Sequence, residues 1–503
     1  MLSRQMGLWL SAHGSNPEKL KAYVQAFKTY APDFNQIRQL KKLKQFRLDP
    51  AFRAQVLKLI SLRGFKWSKP GWSKPGWRRP LALAFPASLL LLVAAPGAPT
   101  PGVTLPENAF QMASLAPSPM AAKLAELAPL ERMGYRPAID TAIEQIYYAL
   151  SQNDLNQALS ITNQLLEEFP NFTLGYLIRG DILSLKAGRE LNNIGDVSIK
   201  LPNTSKAELG NLRAEAIARF KAVKDRPSGD LLPAELLVLE KEQKYVILVD
   251  AGRSRLFLYQ NALPHPRLIT DFYISQGKLG AVKTKEGDKR TPIGVYTITE
   301  LLPKEKLNEF YGPIALPINY PNAWDKRQGK TGSGIWLHGM PESFASRPPR
   351  DSDGCVVLAN QDLMALKPYV DIGTTQVIIS KNLDFVPTEV WMTQRRAALR
   401  VVKTWKDDIE KGIDLGAMHY SPDVLIDGQD LMTWQKENSL TQKGLGNVRI
   451  DDLSVMKYPY NESDMMLVTF NQTDPVSGHQ RKHQYWMKIG TRWAIVQEDS
   501  EKL

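Results

Sequence analysis

The chain carries three patterns of apolar residues in succession. In the first, Ile139, Ile143, Ile146, Tyr147 and Leu150 recur at helical spacing. After Ser151-Gln-Asn-Asp154, Leu155, Ala158, Leu159, Thr162 and Leu166 do the same. Pro170-Asn171 breaks the run, and Leu174–Ala187 predicts a third helix. Ser205–Lys241 reads as a further charged helical connector. The second pattern is of short β-branched and aromatic runs. Tyr245-Val-Ile-Leu-Val249 and Arg255-Leu-Phe-Leu-Tyr259 flank the turn-rich Asp250-Ala-Gly-Arg-Ser254, which predicts a β-hairpin. Val295–Thr299 and Gly334–Leu337 predict further strands, and Asn360–Lys367 a single helix with a polar start. Few helices and frequent Gly and Pro make this stretch a mostly-β domain. The third pattern opens on a long helix, Trp391–Ile413. Segments 416–424 and 428–437 read as helix and turn. Strands follow at Val448–Ile450, Met465–Phe470, Gln484–Lys488 and Arg492–Gln497.

Composition adds what the periodicity cannot. The chain has 503 residues and a formal charge of +12, enough for about three domains. No nucleic-acid motif accompanies the positive charge, so no nucleic-acid partner is expected. The excess gathers before Pro80, where seventeen Lys and Arg face only Glu18, Asp33 and Asp49. Leu81–Ala95 follows as an apolar run, and no charge appears until Glu107. This order predicts a signal anchor over 80–98, with the basic segment 1–79 on the cytoplasmic side. The chain beyond it is then exported, anchored to the inner membrane with the residues after the anchor in the periplasm. A cleavable signal is the alternative, with Val93-Ala-Ala-Pro-Gly-Ala98 as its processing site. The tandem Trp67-Ser-Lys-Pro-Gly, Trp72-Ser-Lys-Pro-Gly, Trp77-Arg-Arg-Pro suits a membrane interface. A Pro/Ala-rich linker over 99–130 leads into the helical region, 131–242.

Cys355 is the only cysteine. An intramolecular disulfide is therefore excluded, and no Cys/His cluster has metal-ligand spacing. Neither metal nor cofactor is expected. Cys355 sits in Arg350-Asp-Ser-Asp-Gly-Cys-Val-Val-Leu358, downstream of Gly334-Ile-Trp-Leu-His-Gly339. A lone cysteine with a histidine elsewhere in the chain is a candidate nucleophile and base. A buried cysteine acting as a small hydrophobe is the competing reading.

The surrounding residues resemble the L,D-transpeptidase (YkuD-type) catalytic domain. That family joins an apolar strand ending in His-Gly, a loop of under twenty residues, and Ser-His-Gly-Cys followed by apolar residues and an Asn. Here His338 and Cys355 are 17 positions apart, and Ser352, Gly354, Cys355 and Asn360 fit. Asp353 replaces the usual second histidine. Tyr273–Gly277, Lys289–Tyr296 and Asp371–Ile379 resemble the family's other ordered motifs, so the resemblance spans about 243–382.

The resemblance implies Cys355 as nucleophile and His338 as general base, with Gly339, Ser352, Asp353 and Gly354 shaping the turn. The N–H groups of Gly354 and Cys355 would hold an oxyanion. Arg350, Asn360, Tyr320 and Trp336 would bind substrate. Arg347, Arg350 or Arg290 would offset the Asp353 carboxylate, which by itself raises the thiol pKa. The implied partners are peptidoglycan stem peptides, processed through an acyl-thioester. Water as acceptor would make the same fold a carboxypeptidase or amidase, and a degenerate site would leave a wall-binding scaffold. Within 131–242, the pattern Tyr148-Ala-Leu150, Asn153–Leu159 and Phe169-Pro-Asn171 resembles a tetratricopeptide unit, a candidate surface for a protein partner, with a generic helical bundle against the catalytic domain as the alternative. Segment 390–503 resembles nuclear-transport-factor-2-like (SnoaL-like) cone domains; His419, Trp434 and Trp486 there are read as core before pocket. The fold class expected is multidomain α+β: a helical region, a mostly-β catalytic domain and an α+β cone.

Overall fold

A computed structural model describes residues 136–196, 202–228, 230–412, 418–437, 445–459 and 463–503. The basic segment, the predicted anchor and the linker lie outside the described residues. Among those described, no helix is long and apolar enough to cross a membrane.

The helical region runs through Ala138–Ser151, Leu155–Glu168, Thr173–Lys186 and Asn203–Lys224. Asp154 caps the second helix by accepting from Gln157 N at 2.9 Å. The periodic residues named above meet in one core: Ile139, Ile143 and Ile146 pack with Ala158, Leu165, Phe172, Leu174, Ile178 and Ala216.

The connector departs from expectation. Its helix ends at Lys224, and Leu231–Pro233 and Leu236–Val238 are strands. Pro227 removes a backbone donor just past the helix. Leu232, Leu236 and Leu237 are buried, so this stretch is held by tertiary packing rather than by helix propensity. Leu231–Pro233 pairs with Phe385–Pro387, and Leu236–Val238 adds an edge strand to the C-terminal sheet.

The catalytic domain stacks two sheets. The larger, in the order Arg267–Tyr273, Arg255–Gln260, Tyr245–Asp250, Gln376–Ser380, Gly294–Thr297, contains the predicted hairpin at its centre. The central strands are largely apolar because both faces are buried. One set, Ile247, Val249, Leu256, Leu258 and Ile379, packs on Leu316, Leu337, Val356 and Leu363 of the second layer. The alternate set, Val246, Leu248, Phe257, Tyr259 and Ile378, packs on Met456, Tyr458, Leu467 and Tyr485 of the C-terminal domain. The smaller sheet is ordered Val356–Val357, Trp336–His338, Ile314–Pro317, Leu302–Pro303.

The C-terminal domain begins with Thr388–Lys411, a helix ended by Gly412 in the left-handed conformation. Ala398, Val402, Trp405 and Ile409 lie on one face of it and pack on Val468, Phe470, Trp486 and Ile495 of a seven-stranded sheet. Trp486 is core, as expected, and the His419 ring is tied to Asp408 at 2.8 Å. Tyr420–Ile426 is a strand parallel to Arg492–Lys502, where helix and turn were expected. A register shift between Tyr420 and Leu425 takes Pro422 out of the ladder, which is how a strand tolerates proline.

Candidate active site

Strand pairing places the two candidate residues, Cys355 and His338, on neighbouring strands. Trp336–His338 runs parallel to Val356–Val357, with Leu337 opposite Val356 and His338 opposite Val357. Leu358 N continues the ladder to His338 O at 2.9 Å. Cys355 directly precedes its strand, so it enters the sheet beside the strand that ends in His338.

The turn before the thiol is built by two residues. Ser352 is buried; its Oγ donates to Cys355 O at 2.6 Å and accepts from Gly354 N at 3.1 Å. Gly354 has φ +137°, and a Cβ there would lie 2.8 Å from Arg290 O. Glycine is required on both counts. The Gly354 N–H, expected to face an oxyanion, is thus engaged by Ser352 in the resting structure. The Cys355 thiol donates to Gly334 O at 3.5 Å.

His338 is buried. Its Nδ1 lies 2.6 Å from Gly339 O. A carbonyl only accepts, so Nδ1 carries the proton and Nε2 keeps a lone pair. Gly339 is itself fixed: its N–H donates to Tyr311 O at 3.0 Å, and a Cβ on it would collide with Asn360 Oδ1. Asn360 accepts from Met340 N at 2.8 Å, so it braces the His-Gly turn from within. Tyr311 meets the imidazole edge-on at 5.0 Å between centroids, and Phe310 lies at 5.9 Å.

Burial sets the protonation states. It pushes the His338 imidazole down to about 4; the Gly339 carbonyl opposes this and the Arg347 cation adds to it. Burial also pushes the Cys355 thiol up. The Trp336 N–H, Arg347 and Lys283 pull it back, and Asp353 raises it further. At rest these influences favour a neutral thiol and a neutral imidazole.

The remaining predicted residues scatter. Asp353 is exposed, with Lys278 Nζ 3.6 Å from its carboxylate. Arg350 opens an exposed strand end beside Gln276–Gly277. Trp336 is half-buried and packs on Tyr311 at 4.8 Å. Tyr320 lies in the core, its hydroxyl donating to Thr331 O at 3.2 Å, and offers little surface to a substrate. Of the three candidate cations, Arg290 donates to Leu279 O and Ala281 O. Arg347 is the one felt by both Cys355 and His338. Sequence reading passed over Phe310, Tyr311 and Lys283. The aromatic pair directly before Gly312-Pro313 was a usable signal, whereas Lys283 sits in a loop with none. Among the described residues no cluster of His, Cys, Asp or Glu is arranged to hold a metal.

Residues 244–379 match the YkuD family model, the L,D-transpeptidase catalytic domain. The chain carries a YkuD-type catalytic domain. Residues 397–499 match the Cds6 C-terminal NTF2-like domain, so the two domains expected from motif and pattern are both present. Solved structures similar to the chain include Bd1075 of Bdellovibrio bacteriovorus, at 27% identity and TM-score 0.48, covering 55% of this chain and 99% of that one. The helical cell shape determining protein Pgp2 of Campylobacter jejuni is 21% identical, TM-score 0.45, over 56% of this chain and 98% of that one. An L,D-transpeptidase of Mycobacterium smegmatis is 15% identical, TM-score 0.19, over 27% and 58%. No curated protein matches the chain. The family match supports a peptidoglycan-related function for the YkuD-type domain.

Proposed function

We propose that the YkuD-type domain is an L,D-transpeptidase that acts on peptidoglycan stem peptides through a Cys355 thioester. The observation that carries this reading is the parallel register that sets Cys355 alongside Trp336, two residues before His338 on the neighbouring strand, with the imidazole tautomer fixed by Gly339 O. The sulfur attacks the carbonyl carbon of the donor amide as its proton passes to His338 Nε2. The carbonyl electrons move onto oxygen, where the Cys355 N–H can meet them; the Gly354 N–H joins only by leaving Ser352. The C–N bond then breaks, and His338 returns the proton to the departing amine. An acceptor amine gives up a proton to His338, attacks the thioester and releases the thiol. Water in place of that amine yields a free carboxylate and a carboxypeptidase.

The test is intact-mass spectrometry of the protein incubated with a tetrapeptide donor or a carbapenem. A covalent adduct is expected on the wild type and none on Cys355→Ala. His338→Ala should slow acylation by about 10²- to 10⁴-fold. An adduct that persists in Cys355→Ala contradicts the nucleophile assignment.

Location belongs to the same reading. Leu81–Ala95 behind its basic leader supports an inner-membrane anchor with the catalytic domain outside the cytoplasm. A C-terminal tag should be cleaved by protease in intact spheroplasts; protection until lysis would refute this topology.

A further inference from the structure

The helical region meets the catalytic domain along the loop that follows His338. Asn171 Nδ2 donates to Glu342 O at 3.2 Å, Leu174 N donates to Ser346 Oγ at 2.9 Å, and Ala345 packs on the helical core. From the other side, the Tyr273 hydroxyl donates to Arg347 O at 2.9 Å. Beside these fixed points the two regions leave a crevice of about 210 Å³, walled by segment 168–171 on the helical side and by Glu342, Phe344 and segment 359–361 on the catalytic side. That is room for about seven waters, which suits one sugar ring rather than a stretch of peptide.

The lining combines an open aromatic face with uncharged amides and carboxylates. Phe344 is 58% exposed, and Phe169 and Pro170 add apolar surface from the helical side. No Lys or Arg lines the crevice. Asn360 Oδ1 accepts from Met340 N and Asn171 Nδ2 donates to Glu342 O; the other atom of each amide has no partner among the described residues. Gln361 Nε2 is buried and likewise without a partner, and a ligand oxygen would relieve that cost. The Glu342 carboxylate is held by Lys304 at 2.7 Å, whereas that of Glu168 is exposed and unpaired among the described residues. A sugar ring uses this combination: its hydroxyl and acetamide groups bond to amide and carboxylate side chains, and its C–H face rests on an aromatic ring. Asn360 also braces the turn at His338-Gly339, through Met340 N and its contact with Gly339. The crevice and the candidate active site therefore share a wall.

We propose that this crevice is a saccharide subsite: it takes one N-acetylated amino-sugar ring of the glycan that carries the stem peptide, with Phe344 as the stacking face and Glu168 as a hydroxyl acceptor. The inference rests on the peptidoglycan reading proposed above. It makes the helical region part of substrate recognition, and it makes glycan-linked peptides better donors than free ones.

Three probes separate the possibilities: the peptide-free disaccharide of N-acetylglucosamine and N-acetylmuramic acid, the same disaccharide bearing the tetrapeptide, and the tetrapeptide alone. Saturation-transfer NMR on the full chain carrying Cys355→Ala reads disaccharide binding without turnover. Phe344→Ala and Glu168→Ala, both at exposed side chains outside the core, should each weaken it about three- to tenfold. Leu263→Ala, at a 96% exposed residue that does not line the crevice, should leave it unchanged. In acylation kinetics with Cys355 intact, the two crevice variants should raise KM for the disaccharide-tetrapeptide by the same factor at constant kcat. Their constants for the tetrapeptide alone should match the wild type. Absence of disaccharide binding, or binding undiminished in both crevice variants, overturns the proposal. A KM that rises equally for the tetrapeptide alone also overturns it and makes the crevice a peptide site. Disaccharide binding that depends on Phe344 in a protein acylated by no donor would keep the subsite and remove the transpeptidase reading.

Discussion

Asp353 stands two residues before the thiol, where the resembled family carries histidine. Its side chain is 74% exposed and partnered by Lys278, and His338 takes its orienting bond from Gly339 O instead. Nothing in this geometry makes Asp353 a third member of a triad. Its effect on Cys355 is electrostatic, and it raises the thiol pKa. Removing that anion by Asp353→His or Asp353→Asn lowers the pKa, so more thiolate is present at a given pH. The profile of thiol alkylation against pH should therefore move to lower pH with acyl transfer retained. A shift to higher pH, or loss of activity in a folded variant, would give Asp353 a positive catalytic role. At this scale the sequence disclosed Cys355, His338 and Gly354 through their spacing. It could not disclose the His338 tautomer, which depends on a backbone carbonyl, or Asn360 as a brace, which depends on a contact with Gly339 and Met340.

Elements were legible where their burial pattern was long enough to have a period. The hairpin of Tyr245–Asp250 and Arg255–Gln260 and the helix Thr388–Lys411 declare themselves by uniform apolarity and by a 3.6-residue stripe. Leu231–Pro233 and Leu236–Val238 were not legible. Each spans three residues, and each is a strand only because a partner more than 150 residues away supplies its hydrogen bonds. Tyr420–Ile426 was masked by Pro422, which argues against a strand until the register shift is seen. All three covered sheet edges or joined domains, so their conformation is a property of the assembled chain.

Across the whole molecule, a chain of buried charges joins the helical region to the catalytic domain. Asp140 on the first helix bonds both Arg219 and Arg255, and Arg255 also bonds Asp271. Arg226, just past the fourth helix, reaches Asp271 at 2.8 Å. No residue in this network stood out in the sequence, because each is an ordinary charge until folding buries it against its partners. Burial opposes ionisation of Asp140, but Arg255 and Arg219 outweigh it and hold the carboxyl below its ordinary value. A lowered folded-state pKa contributes stability above the unfolded value, lost as pH falls through the folded one. Asp140→Asn leaves two buried guanidiniums undercompensated and should cost about 3–5 kcal/mol. Urea unfolding at neutral pH would measure it, and the gap from wild type should narrow in acid below the ordinary carboxylate range. A variant as stable as wild type would show that the helical region is not locked by this network.

The central claim is that the YkuD-type domain uses Cys355 to remodel peptidoglycan by acyl transfer. Mass analysis of muropeptides from sacculi incubated with the wild type and with Cys355→Ala tests it most directly. The account predicts that only the wild type consumes tetrapeptide stems, with new cross-linked or amine-exchanged species appearing as they are lost. Tripeptide products with no exchanged species would replace the transferase with a hydrolase. Identical muropeptide profiles from wild type and Cys355→Ala would contradict the account.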